Sequence, residues 1–173
     1  MKHHRMVLIL LAVLTAAGAG RAQSSDFSGE WKLDPGRSDL GGMVLMNAEI
    51  SLSIRQESGA VSLRRTVVVP DRPTTVKSAR YTLDGKECLN AGESLKDLKG
   101  TAVLEKGRLV IRSEQEGMTM MIQGNNPEID YFKYDSVEEL SLSADGKALT
   151  LVQTGQLPEG PRRTTFVFAK TAS

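Results

Sequence analysis

The 173-residue chain sets 22 lysines and arginines against 21 aspartates and glutamates, with two histidines and one cysteine. That even balance offers nucleic acid no concentrated basic face, and a lone cysteine excludes an internal disulfide. Both histidines, His3 and His4, lie in a segment with the marks of an export signal. A processed chain without them has no Ser-His-Asp or Cys-His catalysis and no histidine-ligated zinc.

Residues 1–22 read as a signal peptide. Lys2 to Arg5 form a positive start, Met6 to Ala19 an apolar run, and Gly20-Arg21-Ala22 places small residues at −3 and −1 of a cut before Gln23. The run falls short of the ~20 residues that span a bilayer, and no cysteine follows it to take a lipid. Losing Lys2, Arg5 and Arg21 takes the 22 basic residues to 19 against 21 acidic ones, a net charge of −2. The mature chain is expected to be periplasmic or extracellular, with no membrane span after cleavage. Residues 23–173 contain no linker or low-complexity tract and are predicted to form one domain.

In chain order, Gly29-Glu30-Trp31 opens the first strand. Pro35 to Asn47, with Gly36, Gly41, Gly42, Met43, Leu45 and Met46, is a loop that either packs inertly or closes over a cavity mouth. Ile50, Leu52 and Ile54 then alternate with polar residues. Val61, Leu63, Val67 and Val69 continue on one parity, with Arg65 interrupting. Further pairs follow: Tyr81 and Leu83, Ala102 and Leu104, Leu109 and Ile111, then Met118, Met120 and Ile122. After a long connection from Asn125 to Asp130 come Leu140 and Leu142, Leu149 and Leu151, and Phe166 and Phe168. Glu57-Ser58-Gly59, Lys106-Gly107 and Asp145-Gly146 join such runs as tight turns, and Asp84-Gly85 is a further turn candidate. No helical stripe of comparable length competes. The pattern predicts an all-β antiparallel meander of about 8–10 strands, as a small closed barrel or a sandwich.

The residues that could carry chemistry are few. Cys88 is either buried and inert or exposed for intermolecular thiol chemistry. Met118, Met120 and Met121, with Met43 and Met46, offer soft thioethers for Cu(I), although the parity shared by Met118, Met120 and Ile122 reads more simply as an adaptable apolar wall. Asp130, Asp135, Glu138 and Glu139 are the best place for a carboxylate pair. Glu138 and Glu139 face opposite sides of any strand, and solvated charge is the plainer account. No phosphate loop, calcium loop or nucleophile motif is present, so neither a metal nor a cofactor is implied.

Three stretches carry a resemblance: Phe27-Ser28-Gly29-Glu30-Trp31-Lys32-Leu33-Asp34, Tyr81-Thr82-Leu83-Asp84-Gly85-Lys86-Glu87-Cys88 and Leu142-Ser143-Ala144-Asp145-Gly146-Lys147-Ala148-Leu149-Thr150. With the Gly-x-Trp of the first strand, they are similar to small exported bacterial lipocalin-like proteins of the calycin group. The resemblance implies an up-and-down barrel with Gly29 and Trp31 in structural roles. It also implies that Trp31 closes one end against a basic residue of a late strand, Arg162 or Arg163. The chain departs from an ordinary lipocalin in having no possible disulfide and no amphipathic helix after the last strand.

Taken together, these readings point to a non-catalytic binding module whose barrel holds a small apolar ligand. Met118 and Met120 would line it, and Tyr81 would serve as the polar handle. The alternative is a protein-interaction or protease-inhibitor-like module of the cell envelope, acting through loops without an internal ligand.

Overall fold

The computed structural model describes residues 25–41, 47–92, 94–123 and 126–171. The strands are β1 (Gly29–Leu33), β2 (Glu49–Glu57), β3 (Ala60–Val68), β4 (Thr75–Thr82), β5 (Cys88–Asn90), β6 (Leu98–Glu105), β7 (Arg108–Gln123), β8 (Asn126–Leu142), β9 (Ala148–Leu157) and β10 (Gly160–Lys170). They make one antiparallel sheet in the order β4-β3-β2-β1-β10-β9-β8-β7-β6-β5. The last strand therefore returns to the first, and the meander curls into a nearly closed barrel rather than a sandwich.

The turns follow from the residues at them. At Lys106 and Gly107 both φ angles are positive, +50° and +78°, which matches the twist of a two-residue hairpin. One seam of the barrel, between β4 and β5, has no ladder. It is bridged by single contacts: Arg80 N–H donates to Asn90 Oδ1 at 2.8 Å and Thr82 N–H to Cys88 Sγ at 3.4 Å, while Gly85 N–H of the intervening turn donates to the Ala102 carbonyl of β6 at 3.2 Å. Cys88 is thus half-buried at the seam, between the two situations the sequence left open.

One end of the barrel is sealed. Phe27 is fully buried there; its N–H donates to Gln56 Oε1 at 3.1 Å, and its carbonyl accepts the Trp31 indole N–H at 3.2 Å. Above it Leu52, Val61, Leu109, Leu140, Leu149 and Phe168 fill the lumen. Burying such a side chain fully contributes about 1.5–3 kcal/mol, so most of the stability gathers at this end. Trp31, 1% exposed, is an anchor of that core.

The cation on Trp31 is Lys170, 5.2 Å from the ring, and not Arg162 or Arg163. Register is the reason: Trp31 lies opposite Lys170, whereas Arg162 and Arg163 pair with Gly155 and Thr154 farther along β10. Gly29 makes room for this contact, since a Cβ there would sit 2.8 Å from Lys170 Cε. Bare backbone two residues before the indole lets the lysine stem lie over it.

Two segments differ from the periodicity reading. The connection expected over Asn125 to Asp130 is mostly strand, because β8 begins at Asn126. Pro127 is tolerated there because β8 pairs with β9 only from Ser136 onward, leaving the earlier stretch with a free edge that needs no donor. In the Pro35–Asn47 segment, a 3-10 turn at Pro35–Arg37 is capped by Asp34, and Asp39 pairs with Thr165 of β10. The chain thus runs on beside β10 as far as Gly41. Met43, Leu45 and Met46, and with them the expected lid, lie outside the described residues.

Candidate ligand cavity in the barrel

Along the barrel axis the lining changes from apolar to polar. Arg65 interrupts the inward aliphatic set of β3, and Glu138 sits inward on β8 between Ser136 and Leu140. Strands β3 and β8 stand five places apart around a ten-stranded ring, on opposite walls. Their side chains meet across the lumen, Arg65 Nη2 to Glu138 Oε1 at 3.1 Å, with the guanidinium carbon 5.8 Å from the centre of the Phe166 ring. The Glu138 side chain is 9% exposed and that of Arg65 28%. Such a pair gains little net stability against the cost of desolvating two charges. It does fix a polar floor above the apolar core.

Hydrogen-bonding groups surround this floor. Gln153 Nε2 donates to Ser136 Oγ at 3.3 Å, and Gln115 Nε2 to Ser113 Oγ at 2.9 Å. Burial pushes the Tyr81 hydroxyl above its ordinary value; a hydrogen bond with Ser113 works against the rise and the charge of Glu138 adds to it. Tyr134 is raised likewise, by burial first and then by Glu138.

Two cavities flank the polar layer. A small one of about 80 Å³ lies at the β4–β5 seam, lined by Arg65, Lys77, Tyr81, Asn90, Leu98 and Glu138 among others. The Nδ2 of Asn90 is buried beside it with no hydrogen-bond partner in the structure. The larger, about 540 Å³, opens at the unsealed end against the inner faces of β7 to β10. Gly117, Phe132, Tyr134, Gln153, Gly155, Leu157, Arg162 and Thr164 line it. Its volume lies within the ~300–1,000 Å³ usual for small-molecule sites.

The residues singled out in the sequence separate. Tyr81 is buried and lines the small cavity. Met118 is 68% exposed at the rim of the large one. The β7–β8 register runs unbroken from Leu109↔Leu140 to Gln123↔Asn126. Without a bulge, the inward set begun by Leu109, Ile111 and Ser113 continues on odd numbers, and Met118 takes the outward parity. Met120 holds the register position opposite Ile129, and its side chain lies outside the description. Of the acidic group, Asp130 and Asp135 are exposed, and Glu139 pairs with Arg108 at 2.9 Å on the outer surface. Glu138 alone enters the lumen. Among the described residues, no three His, Cys, Asp or Glu side chains come together as a metal site.

The sequence reading missed Arg65 and Glu138 as a pair. Their signal is a charge on an otherwise apolar inward parity in each of two strands, with opposite signs.

Solved structures share this architecture. Zebrafish ileal bile acid-binding protein, complexed with cholic acid, matches with a TM-score of 0.53 at 16% identity, over 84% of this chain and 98% of its own. A fatty acid transporter, REP1-NXSQ, matches with a TM-score of 0.53 at 14% identity over 86% and 98%. A variant of the fluorescent protein UnaG matches with a TM-score of 0.54 at 14% identity over 85% and 97%. No protein-family model and no curated protein sequence matches the chain. At these identities the likeness shows the fold alone, an antiparallel barrel, which here has ten strands where a lipocalin has eight.

Proposed function

We propose that the chain is an exported, non-catalytic binding protein that holds a small, largely apolar molecule in the open half of its barrel. The observation that carries this reading is the division of the lumen. One end is packed solid around Trp31 and Phe27, while the other keeps a cavity of about 540 Å³ lined in part by Gln153, Arg162 and Thr164. A barrel built only as a scaffold gains from filling its interior, so retained volume with convergent polar groups favours a ligand. The bile acid-binding protein and the fatty acid transporter of the same fold are in keeping with it. Export rests on the tripartite pattern of residues 1–22.

Native mass spectrometry of the protein isolated from its own host tests both parts. The expected species begins at Gln23 and carries an adduct of a few hundred daltons that is released on denaturation. A bare protein that also fails to enhance the fluorescence of an added anilinonaphthalene probe would overturn the binding reading. An intact mass that retains Met1 to Ala22 would overturn export.

A second reading, an interaction module, draws on the long β7–β8 ribbon. Met118, Ile129 and Tyr131 stand 68%, 47% and 40% exposed on it. Co-purification of a stoichiometric protein, lost on replacing Tyr131 with serine, would favour that reading.

A further inference from the structure

The large cavity owes its shape to two glycines. Phe132 and Tyr134 occupy successive inward positions of β8, with ring centroids 6.2 Å apart and planes tilted by 48°. A Cβ on Gly117 would lie 2.5 Å from Phe132 Cζ, and one on Gly155 would lie 2.9 Å from Tyr134 Cε2. Phe132 therefore leans over β7 and Tyr134 over β9, each ring edge occupying the space a side chain would fill. The rings are laid against the wall instead of standing across the lumen. Both remain half-buried and line the cavity. Beside them the β9–β10 wall is polar, with Gln153, Thr164 and Arg162. Among the described residues, the Arg162 guanidinium is held only by the exposed Glu159, at 3.2 Å.

From this we infer that the ligand is a flat, conjugated ring system carrying an acidic oxygen substituent, stacked on Phe132 and Tyr134 with the substituent toward Arg162. The inference rests on the binding reading above and narrows it. A saturated chain gains from these walls only the area it removes from water, whereas a flat ring also gains the face-to-face or edge-to-face contact that aromatic pairs add. Glycine at both seats is what makes those faces available: any larger residue would tip the rings into the volume the ligand needs. Arg162 can exchange Glu159 for a ligand oxygen at small cost, because an exposed pair contributes little.

The test compares 9-anthracenecarboxylate with pentadecanoate, a saturated carboxylate of equal carbon number, on the mature protein and its Tyr134→Leu and Phe132→Leu variants. Leucine keeps the wall apolar and removes the ring. Each variant is expected to bind the anthracene ligand about tenfold more weakly while the loss for pentadecanoate stays several times smaller. Two single variants are used so that one failing to fold leaves the other informative, with circular dichroism checking the β spectrum. Equal losses for the two ligands, or none for either, overturn the aromatic inference and leave the binding reading standing. Failure of both ligands to bind wild type while an anilinonaphthalene probe is still taken up overturns the inference alone, and failure of both ligands and of the probe overturns it together with that reading.

Discussion

Arg65→Met and Glu138→Gln should have unequal costs. The carboxylate is the deeper partner, its side chain 9% exposed against 28% for the arginine, and it faces Ile111 on one side across the β7–β8 register. Removing Arg65 strands an ionised group in that setting, for which the usual cost of breaking a buried pair is about 3–5 kcal/mol. Removing the charge of Glu138 leaves an arginine that keeps Phe166 beneath it and can lift toward the open end, so about 1–2 kcal/mol is expected there. The double replacement Arg65→Met with Glu138→Leu removes both charges and should lie within about 1 kcal/mol of wild type, or above it. Urea denaturation at constant slope measures all three. Equal costs for the two single variants, or a double variant as destabilised as Arg65→Met alone, would refute the cross-lumen account.

At the sealed end, Trp31→Ala should destabilise by about 3–5 kcal/mol, the range for truncating a large buried aromatic. Lys170→Met should lose only about 0.5–1 kcal/mol while changing the indole emission, since it removes the cation and keeps the stem. A large stability loss in Lys170→Met, measured by the same denaturation, would show that the lysine does more than cover the ring. In alkali, Tyr81 and Tyr134 should ionise later than an ordinary phenol, both being raised first by burial. Their folded values exceed the unfolded value of about 10, so unfolding releases protons between the two. The stability they add is complete below that pH and is lost as the pH rises through the folded values. Absorbance at the phenolate band, followed with and without denaturant, checks the order.

Much of the barrel is legible in the sequence because period two is set by geometry that every strand shares. Leu52 and Ile54, Leu109 and Ile111, and Leu149 and Leu151 mark one inward face by alternation alone, and all of them are buried. The turn at Lys106-Gly107 is readable for the same local reason. The features that escape a local reading depend on continuity over longer distances. Taken as a fresh run, Met118 to Ile122 has an apolar parity that looks inward. In the fold β7 is one strand of 16 residues, and its inward set is fixed by Leu109. The partner of Trp31 is Lys170 and not Arg162 or Arg163, because register between first and last strands is decided by every intervening hairpin. The pairing of Arg65 with Glu138 was invisible because it spans a lumen whose closure no local pattern announces.

The two halves of the barrel solve opposite problems with the same strands. At the sealed end, parity places leucine, phenylalanine and tryptophan toward one another, and close packing leaves no room for a guest. Farther along, the inward positions of β7 to β10 change to Gly117, Phe132, Tyr134, Gln153, Gly155 and Thr164. Glycine and polar residues there forgo apolar burial that leucine would have supplied, so this end contributes less to stability. The ribbon of β7 and β8 beyond Ser113 and Ser136 deepens that deficit, because it lacks the ladders of β6 and β9. Its base is edged with charge, Glu114 on Lys133 at 3.1 Å and Glu116 accepting the N–H groups of Ser94 and Leu95. Charged edges discourage strand-to-strand association without closing the mouth. The stability of the packed end is therefore what permits an open one, and substitutions that fill the cavity with aliphatic side chains should raise stability where they abolish binding.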